Sequence, residues 1–289
     1  MGFLLLSAGT KAHAVGNIEA RRQSRIQTVT LSVIVITKNE EASIKRCLFS
    51  VAWASEIVVV DSGSTDETEK ICRQYTDKFY RNDWPGFGPQ KNRALALATK
   101  EWIFSLDADE WVSPELRREM EEAMANPGTR AAFAIPRRSS YCGKFMHHGG
   151  WWPDYVTRLF RKGSARFSDD IIHERVIVDG PVSRLTNPLF HEAFRDPEEV
   201  LETINRYSTI GALQMSRQGK RGTLSKAILH GLWSFFYNYV LRKGFLDGAE
   251  GFMLAVSNAE GTYYRYLKLK LSQVNISENS RHDHHLQSS

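Results

Sequence analysis

Short apolar runs alternate with amphipathic stretches along the first third of the chain. The run Leu31–Ile36 is rich in β-branched residues, which is typical of a strand buried on both faces, and Glu56–Val60 is a second such run. The same criteria predict a short strand over Lys78–Tyr80, a strand that ends before Asp107, and helices over Ala42–Ala54, Glu67–Tyr75 and Gln90–Ala98. Strands and helices that alternate over short connections predict an α/β domain built on a parallel sheet covered on both faces.

Polar clusters follow three of these strands directly, at Thr37–Glu40, Asp61–Asp66 and Asp107–Glu110. Ligands of open α/β sheets bind beyond the carboxyl ends of the strands, so we expect the three clusters to face one crevice. Asp107 and Asp109 are two residues apart and can converge on one hard cation, Mg²⁺ or Mn²⁺, that also carries a substrate phosphate. Taken alone, this pair is more typical of a solvated acidic turn before the next helix than of a metal site, because so short a motif often occurs by chance.

Composition and charge narrow the function classes further. The chain has 289 residues and a formal net charge of +5, but no basic-aromatic pattern typical of a nucleic-acid reader, so we expect no nucleic-acid partner. An anionic substrate or an anionic membrane surface accounts for the excess charge. Three scattered cysteines favour a reducing compartment. The turn Thr37–Glu40 lacks the glycines of a dinucleotide-binding fingerprint.

Four motifs, in order along the chain, resemble those of the family 2 glycosyltransferases. They are Val33–Glu40, Val60–Asp66, Lys91–Arg93 and Asp107–Glu110. Within that family, the chain is most similar to the lipopolysaccharide core β-1,4-glucosyltransferase group. The resemblance implies a GT-A fold with a Rossmann-like nucleotide-binding sheet, a nucleotide-sugar donor and an inverting mechanism.

The resemblance also implies roles for single residues in donor binding. Thr37, Asn39 and Glu40 belong to the donor site, the last two near the base and ribose. Asp61 holds the uridine, and Lys91 lies near the base or the phosphates. Taken without the family, Asp61 is equally compatible with an Asx-turn or a helix cap, and Lys91 with a solvated helix charge.

The same resemblance implies a divalent metal on the donor diphosphate. One or both of Asp107 and Asp109 coordinate it, and Asp107 also touches the ribose. His191 resembles a late histidine that supplies a metal contact in related GT-A enzymes, although an interior, hydrogen-bonded histidine fits the sequence equally well. Arg158 and Arg161 are the expected partners of donor or acceptor phosphates.

An inverting transfer needs a base that takes the proton of the attacking hydroxyl. Two carboxylates in the second half of the chain are candidates, Glu174 in Ile-His-Glu-Arg and Asp154 in Trp-Trp-Pro-Asp. We favour Glu174, because this His-Glu pair recurs in the proteins that the chain resembles. A structural salt bridge of Glu174 to Arg175 or Arg158 is the alternative.

The end of the chain is basic and aromatic. Between Lys220 and Lys243 there are five basic residues and no acidic one. Over Ala227–Leu241, a helix has a broad apolar face and one narrow polar stripe, formed with its flanking residues by Lys226, His230, Ser234, Asn238 and Arg242. A further helix is expected over Ala249–Tyr266. The apolar run is shorter than the roughly 20 residues that span a bilayer, so we expect a helix in the plane of the membrane. A helix packed on the catalytic domain or in a dimer is the alternative.

These features predict a peripheral glycosyltransferase on the inner face of the cytoplasmic membrane. It moves a hexose, glucose from UDP-glucose, onto a lipid-linked saccharide, a heptose of the lipopolysaccharide inner core, and a homo-oligomer is possible. The alternatives are another envelope glycan as acceptor, a sugar nucleotidyltransferase, or a catalytically silent membrane scaffold of the same fold. The predicted organisation is a flexible leader (1–30), a catalytic domain (31–196, with a donor half 31–110 and an acceptor half 111–196), a helical extension (197–272) and a disordered tail (273–289).

Overall fold

Four parallel strands, all from residues 31–107, form one half of the sheet. The computed structural model describes residues 29–168 and 174–286, the last of these, from 273, by their backbone alone. The strands lie side by side in the order β3-β2-β1-β4, with β1 at Leu31–Thr37, β2 at Glu56–Asp61, β3 at Phe79–Arg81 and β4 at Trp102–Asp107. The register pairs Thr37 with Asp61 and Ile36 with Asp107. The three polar clusters therefore begin at the same edge of the sheet.

Both faces of these strands are covered, as the β-branched runs predict. On one face, Val33 and Val35 are fully buried in a core shared with Leu48 of the first helix, while Ile34 is buried on the other face in a core shared with Ala94 of the third. The helices are α1 (Ile44–Ser50), α2 (Thr68–Cys72), α3 (Phe87–Leu97) and α4 (Pro114–Ala125).

Helix α3 begins three residues earlier than the predicted Gln90. Gly86 precedes it with a φ of 113°, a value that favours glycine, and Pro89 lies in the first turn, where no backbone donor is needed. Part of the segment predicted as a loop is therefore helical.

The second half of the sheet, beyond the strands for which the sequence predicts parallel pairing, is mixed. Strand β8 (Asp154–Arg161) runs antiparallel to both β4 and β6 (Ala132–Tyr141), and β12 (Leu189–Phe194) is parallel to β6 but antiparallel to β5 (Glu110–Val112). With β7 (Lys144–Phe145) and β11 (Val182–Arg184), which both pair with β6, the sheet reaches ten strands among the described residues. Strands β9 (Ala165–Phe167) and β10 (Val176–Val178) form a separate pair.

Three helices follow the sheet and pack on one another. They are α5 (Pro197–Arg217), α6 (Leu224–Phe236), which continues as a π-helical turn (Tyr237–Leu241), and, after a 3-10 turn (Gly244–Asp247), α7 (Gly248–Leu286). Side chains cap the first two: Asp196 accepts a hydrogen bond from the backbone of Glu199, and Thr223 from that of Lys226.

The C-terminal helix is longer than predicted, and some residues at both ends of the chain lie outside the described part. Helix α7 continues well past Tyr266, at which the sequence analysis ends it, and its last turns overlap the predicted tail. Residues 287–289 of that tail and residues 1–28 of the predicted leader lie outside the described residues. Within the part of the chain that is described, no helix is long and apolar enough to cross a membrane.

Candidate active site

The loops after β1 and β2 are tied together at the carboxyl edge of the sheet. The backbone N–H of Asn39 donates to Oγ of Ser64 (2.9 Å), and that of Thr65 donates to Oδ1 of Asn39 (2.8 Å). Asn39 has a φ of 55°, a left-handed conformation that asparagine tolerates better than most residues. The predicted donor residues Thr37, Asn39 and Glu40 therefore lie on a fixed loop beside the end of β2.

Asp61 is completely buried at the end of β2 and organises the turn that follows. Its Oδ2 accepts hydrogen bonds from the backbone N–H groups of Gly63 and Ser64, both at 2.9 Å, and the Ser64 hydroxyl donates to Oδ1. Nε of Arg81 lies 3.5 Å from Oδ2. These contacts have the form of an Asx-turn, and they also keep a carboxylate at the edge where the three clusters meet.

Asp107 lies between two cations. Nζ of Lys91 is 2.9 Å from its Oδ1, and Arg158 donates to its Oδ2. Burial alone would raise the pKa of the Asp107 carboxyl, but the positive charges of Arg158 and Lys91 outweigh it and hold that pKa well below its usual range. Arg158 also donates to Oε1 of the fully buried Glu110 (2.7 Å). In this structure, both oxygens of Asp107 are taken by side chains of the protein.

Asp109, in contrast, has one carboxylate oxygen to which no other described residue hydrogen-bonds. Its Oδ2 is 3.3 Å from Nε2 of His191, whose Nδ1 is 2.8 Å from the Ser139 hydroxyl. Burial alone would lower the pKa of His191, but the hydrogen bond and negative charge of Asp109 raise it above its ordinary value. Oδ1 of Asp109 and Oγ1 of Thr37 are buried and have no hydrogen-bond partner among the described residues. A buried acceptor without a partner indicates a place for a ligand or an ion.

The described side chains at this edge supply only part of the ligand set that a divalent cation needs. Among the described residues, no three His, Cys, Asp or Glu side chains gather closely enough to hold a metal ion by themselves. Mg²⁺ does not require such a set, because it commonly takes one or two carboxylates together with substrate phosphates and water. Asp109, with its free oxygen and His191 beside it, fits that pattern better than Asp107.

The two candidate bases occupy different surroundings. Oε1 of Glu174 lies 2.8 Å from Nζ of Lys91, and Glu174 lines a cavity of about 550 Å³ next to Asp107. The carboxylate of Asp154 accepts from Nη2 (2.7 Å) and Nε (3.1 Å) of Arg137, which also lines that cavity. Glu174 thus faces the cavity itself, whereas Asp154 is linked to it through Arg137. Residues 172 and 173 of the predicted Ile-His-Glu-Arg segment lie outside the described residues.

Two residues that the structure places at this site, Arg137 and Tyr207, have no role assigned from the sequence motifs. Arg137 lies between Asp154 and Glu110, to which its Nη1 is 3.5 Å away. Tyr207 of α5 lines the same cavity from the helical extension. The available signal for Arg137 was the arginine pair that directly follows the apolar run of β6, and no comparable signal marked Tyr207.

Comparison with known proteins places this geometry in a family. The sequence profile described as Glycosyl transferase family 2 matches residues 32–180. The lipopolysaccharide core biosynthesis glycosyltransferase LpsC of Rhizobium meliloti (strain 1021) is 31% identical over 260 residues, which cover 83% of this chain and 94% of LpsC. An uncharacterized glycosyltransferase of Rickettsia felis is 30% identical over 258 residues, which cover 84% of this chain and 90% of that protein.

Among solved structures, the chain is similar to the crystal structure of S. aureus TarS 1-349 in complex with UDP-GlcNAc. The TM-score is 0.45 and the identity 16%, covering 85% of this chain and 92% of that one. The profile match alone spans just over half of the chain. The α/β class, the GT-A fold and the glycosyltransferase activity that the motifs imply are thereby confirmed. This chain is a member of glycosyltransferase family 2 and a homologue of a lipopolysaccharide core biosynthesis glycosyltransferase.

Proposed function

We propose that this glycosyltransferase moves a hexose, glucose from UDP-glucose, with inversion, onto a lipid-linked acceptor, a heptose of the lipopolysaccharide inner core. The observation that supports a nucleotide-diphosphate donor best is the charge around the 550 Å³ cavity. Four cationic side chains and two carboxylates line it, which leaves an excess of positive charge beside the carboxyl edge of the sheet. The lining cations are Lys91, Arg137, Arg158 and Arg175.

The donor has a defined place in this proposal. Its uridine lies along the loops that carry Asn39, Glu40 and Asp61. Its diphosphate lies toward Lys91 and Arg158, because concentrated positive charge with low exposure favours a polyanion. The partnerless oxygens at the same edge are available to a ligand of this size.

A divalent cation, Mg²⁺ or Mn²⁺, belongs to the same proposal. Asp109 and His191 would coordinate it. Asp107 would become a further ligand once the donor diphosphate binds Lys91 and Arg158 and so frees the Asp107 carboxylate. When bound, such an ion compensates the charge that develops on the leaving diphosphate.

The chain's own residues perform the proton transfer. Glu174 accepts the proton of the acceptor hydroxyl at one of its carboxylate oxygens, while Lys91 orients that carboxylate through the 2.8 Å contact. Because Lys91 also contacts Asp107, the same ammonium group binds both the proposed base and a carboxylate of the proposed donor site. Asp154 is the second candidate, held by Arg137.

An exposed apolar surface on the helical extension supports a membrane location. The side chains of α6 and the turns that follow it include eleven large exposed apolar groups, among them Leu229, Leu232, Trp233, Phe236, Leu241 and Leu246. Basic residues flank them at Arg221, Lys226 and Lys243. Apolar side chains next to lysine and arginine complement an anionic lipid surface, so we assign this face to the inner leaflet of the cytoplasmic membrane.

Incubation with labelled nucleotide sugars tests the reaction class. UDP-glucose, UDP-galactose and their N-acetyl forms are each supplied with Mg²⁺ or Mn²⁺ and with heptose-terminated lipopolysaccharide core. Transfer of glucose with release of UDP is the expected result. Preference for another sugar or acceptor would change the assigned substrate but leave the assigned reaction, glycosyl transfer, in place. Release of pyrophosphate would indicate nucleotidyl transfer instead, and the absence of either product a silent scaffold.

A further inference from the structure

A second cavity, of about 450 Å³, lies between the helical extension and the edge of the sheet. Helices α5, α6 and α7 supply most of its wall, and Tyr141, Trp151 and Phe194 close it on the sheet side. Tyr207 lines both this cavity and the catalytic one, so the two are neighbours. Its volume lies in the range of small-molecule sites, about 300–1,000 Å³.

The second cavity is positively charged. Arg242 and Arg265 line it, and none of its lining residues, as far as the chain is described, is Asp or Glu. Neither guanidinium forms an ion pair with a carboxylate of the described residues. Two uncompensated cations on a concave surface favour an anionic ligand.

Glycines allow both arginines to lie close to the backbone. A Cβ on Gly150 would be 2.0 Å from Nη1 of Arg242, and one on Gly211 would be 2.8 Å from Nε of Arg265. Gly150 also has a φ of 85°, which other residues rarely adopt. A larger residue at either position would displace the guanidinium group, so the backbone is shaped to the two cations.

The rest of the lining suits a sugar. Hydroxyl and amide groups come from three helices, among them Ser208, Ser234, Asn238, Asn258 and Thr262. The side-chain amide of Asn258 has no hydrogen-bond partner within the described ranges. Trp151 and Tyr141 add aromatic surface next to these groups. Polar groups beside aromatic rings complement the hydroxyls and the less polar ring face of a saccharide.

We propose that the second cavity is a binding subsite for an anionic saccharide, phosphorylated or carboxylated, that forms part of the acceptor. This inference rests on the proposed function, because the saccharide would be attached to the sugar that the catalytic cavity glycosylates. The shared wall at Tyr207 places the two sugars in adjoining sites.

Gly261 provides a way to fill the cavity without disturbing the fold. It lies in α7 and lines the cavity, and a Cβ there would meet no atom within 4 Å. Gly261→Trp therefore places a large side chain in the cavity, and Gly261→Ala is the matched control with the same backbone change. Arg265→Gln removes one charge and keeps a polar, uncharged side chain at this position.

Isothermal titration of the full chain and these variants tests the proposal, with mannose 6-phosphate, glucuronate, mannose and inorganic phosphate as probes. Wild type and Gly261→Ala should bind at least one acidic sugar about tenfold tighter than mannose, as a charge-assisted hydrogen bond provides. Which acidic sugar binds identifies the anionic group. Arg265→Gln should lose that preference, and Gly261→Trp should lose the binding.

Three results would overturn the proposal: equal binding by Gly261→Trp and wild type, no preference for an acidic sugar over mannose, or inorganic phosphate binding as tightly as the sugar. UDP is titrated separately and should bind all four proteins alike. If UDP failed to bind while the acidic sugar remained sensitive to Gly261→Trp, the donor proposal would fail and the saccharide site would stand.

Discussion

Nζ of Lys91 lies 2.8 Å from Oε1 of Glu174, 83 positions further along the chain. The same ammonium group is 2.9 Å from Asp107, and Lys91 is 3% exposed. The buried ammonium group of Lys91 therefore connects Asp107, at the carboxyl end of β4, to the candidate base Glu174. A diphosphate that enters the cavity competes for this cation, because like Asp107 and Glu174 it is negatively charged.

Replacing Glu174 by Gln keeps the size of the side chain and removes its capacity to take a proton. We expect kcat to fall by about 10²–10⁴-fold, the usual contribution of a general base, while the Kd of UDP-glucose stays nearly unchanged. Steady-state kinetics and donor titration measure both. Asp154→Asn is the matched control, since it removes the other carboxylate that is bound by a cation at this cavity. Full turnover in Glu174→Gln together with its loss in Asp154→Asn would move the base to Asp154.

Lys91→Met removes the shared cation and leaves two carboxylates with less compensation. Breaking a buried ion pair costs on the order of 3 kcal/mol, so the free energy of unfolding should fall by roughly that amount, and UDP-glucose should bind more weakly. Urea unfolding and donor titration provide the two measurements. Lys70→Met, at an exposed ion pair of α2, should change neither appreciably. A Lys91→Met variant that binds UDP-glucose as tightly as wild type would exclude Lys91 from donor binding.

The gathering of the polar clusters could be predicted from sequence because it follows from local patterns. β-branched runs mark the buried strands, and carboxyl ends of parallel strands share an edge, so Thr37 and Asp61 had to be neighbours. The partners of the carboxylates could not be predicted in the same way. Arg158 reaches Glu110 across 48 positions, from a strand whose antiparallel pairing no local pattern specifies.

The helical extension shows the same limit. The sequence predicts a polar stripe that includes Ser234, Asn238 and Arg242, and all three line the second cavity. That the stripe faces a cavity, rather than solvent, depends on how α5 and α7 pack against it. Helix packing between distant segments is set by side-chain fit, which periodicity does not encode.

The lowered pKa of Glu56 predicts that the free energy of unfolding depends on pH. Burial alone would raise the pKa of this carboxyl, but hydrogen bonds from Lys78, Ser32 and Thr99 lower it to about 2. Because the folded-state pKa lies below the ordinary value, Glu56 stabilises the fold fully above about pH 4.5 and loses this contribution as the pH falls toward 2. The contribution is on the order of 2 kcal/mol, because the exposed partner Lys78 leaves the interaction partly screened by solvent, which reduces the roughly 1.4 kcal/mol expected per pKa unit.

Urea unfolding of wild type and Glu56→Gln at several pH values checks this. The difference in free energy of unfolding should be largest near neutral pH and should narrow as the pH falls below about 4.5. Glu101→Gln, at a carboxylate whose side chain is 55% exposed, serves as the control and should show little difference at any pH. A difference between wild type and Glu56→Gln that stays constant across this range would contradict the assignment.

Leu232 and Trp233 are 65% and 56% exposed on α6 and should insert into lipid. Leu232→Gln with Trp233→Ser should abolish most flotation with phosphatidylglycerol vesicles, because each lost apolar contact costs about 1.5–3 kcal/mol. Phe49→Ser, at a residue 73% exposed on α1, should float like wild type. Unchanged flotation of the double variant would refute lipid contact. A concentration-dependent dimer that the double variant alone fails to form would assign this face to a second copy of the chain.

A crystal structure of the protein with UDP and Mn²⁺ is the most direct test that the three acidic clusters form one donor site. The account predicts uridine against the loop of Asp61, the diphosphate beside Lys91 and Arg158, and anomalous density for manganese at about 2.1 Å from a carboxylate oxygen of Asp109. A complex in which UDP binds away from both Asp61 and Asp109 would contradict it.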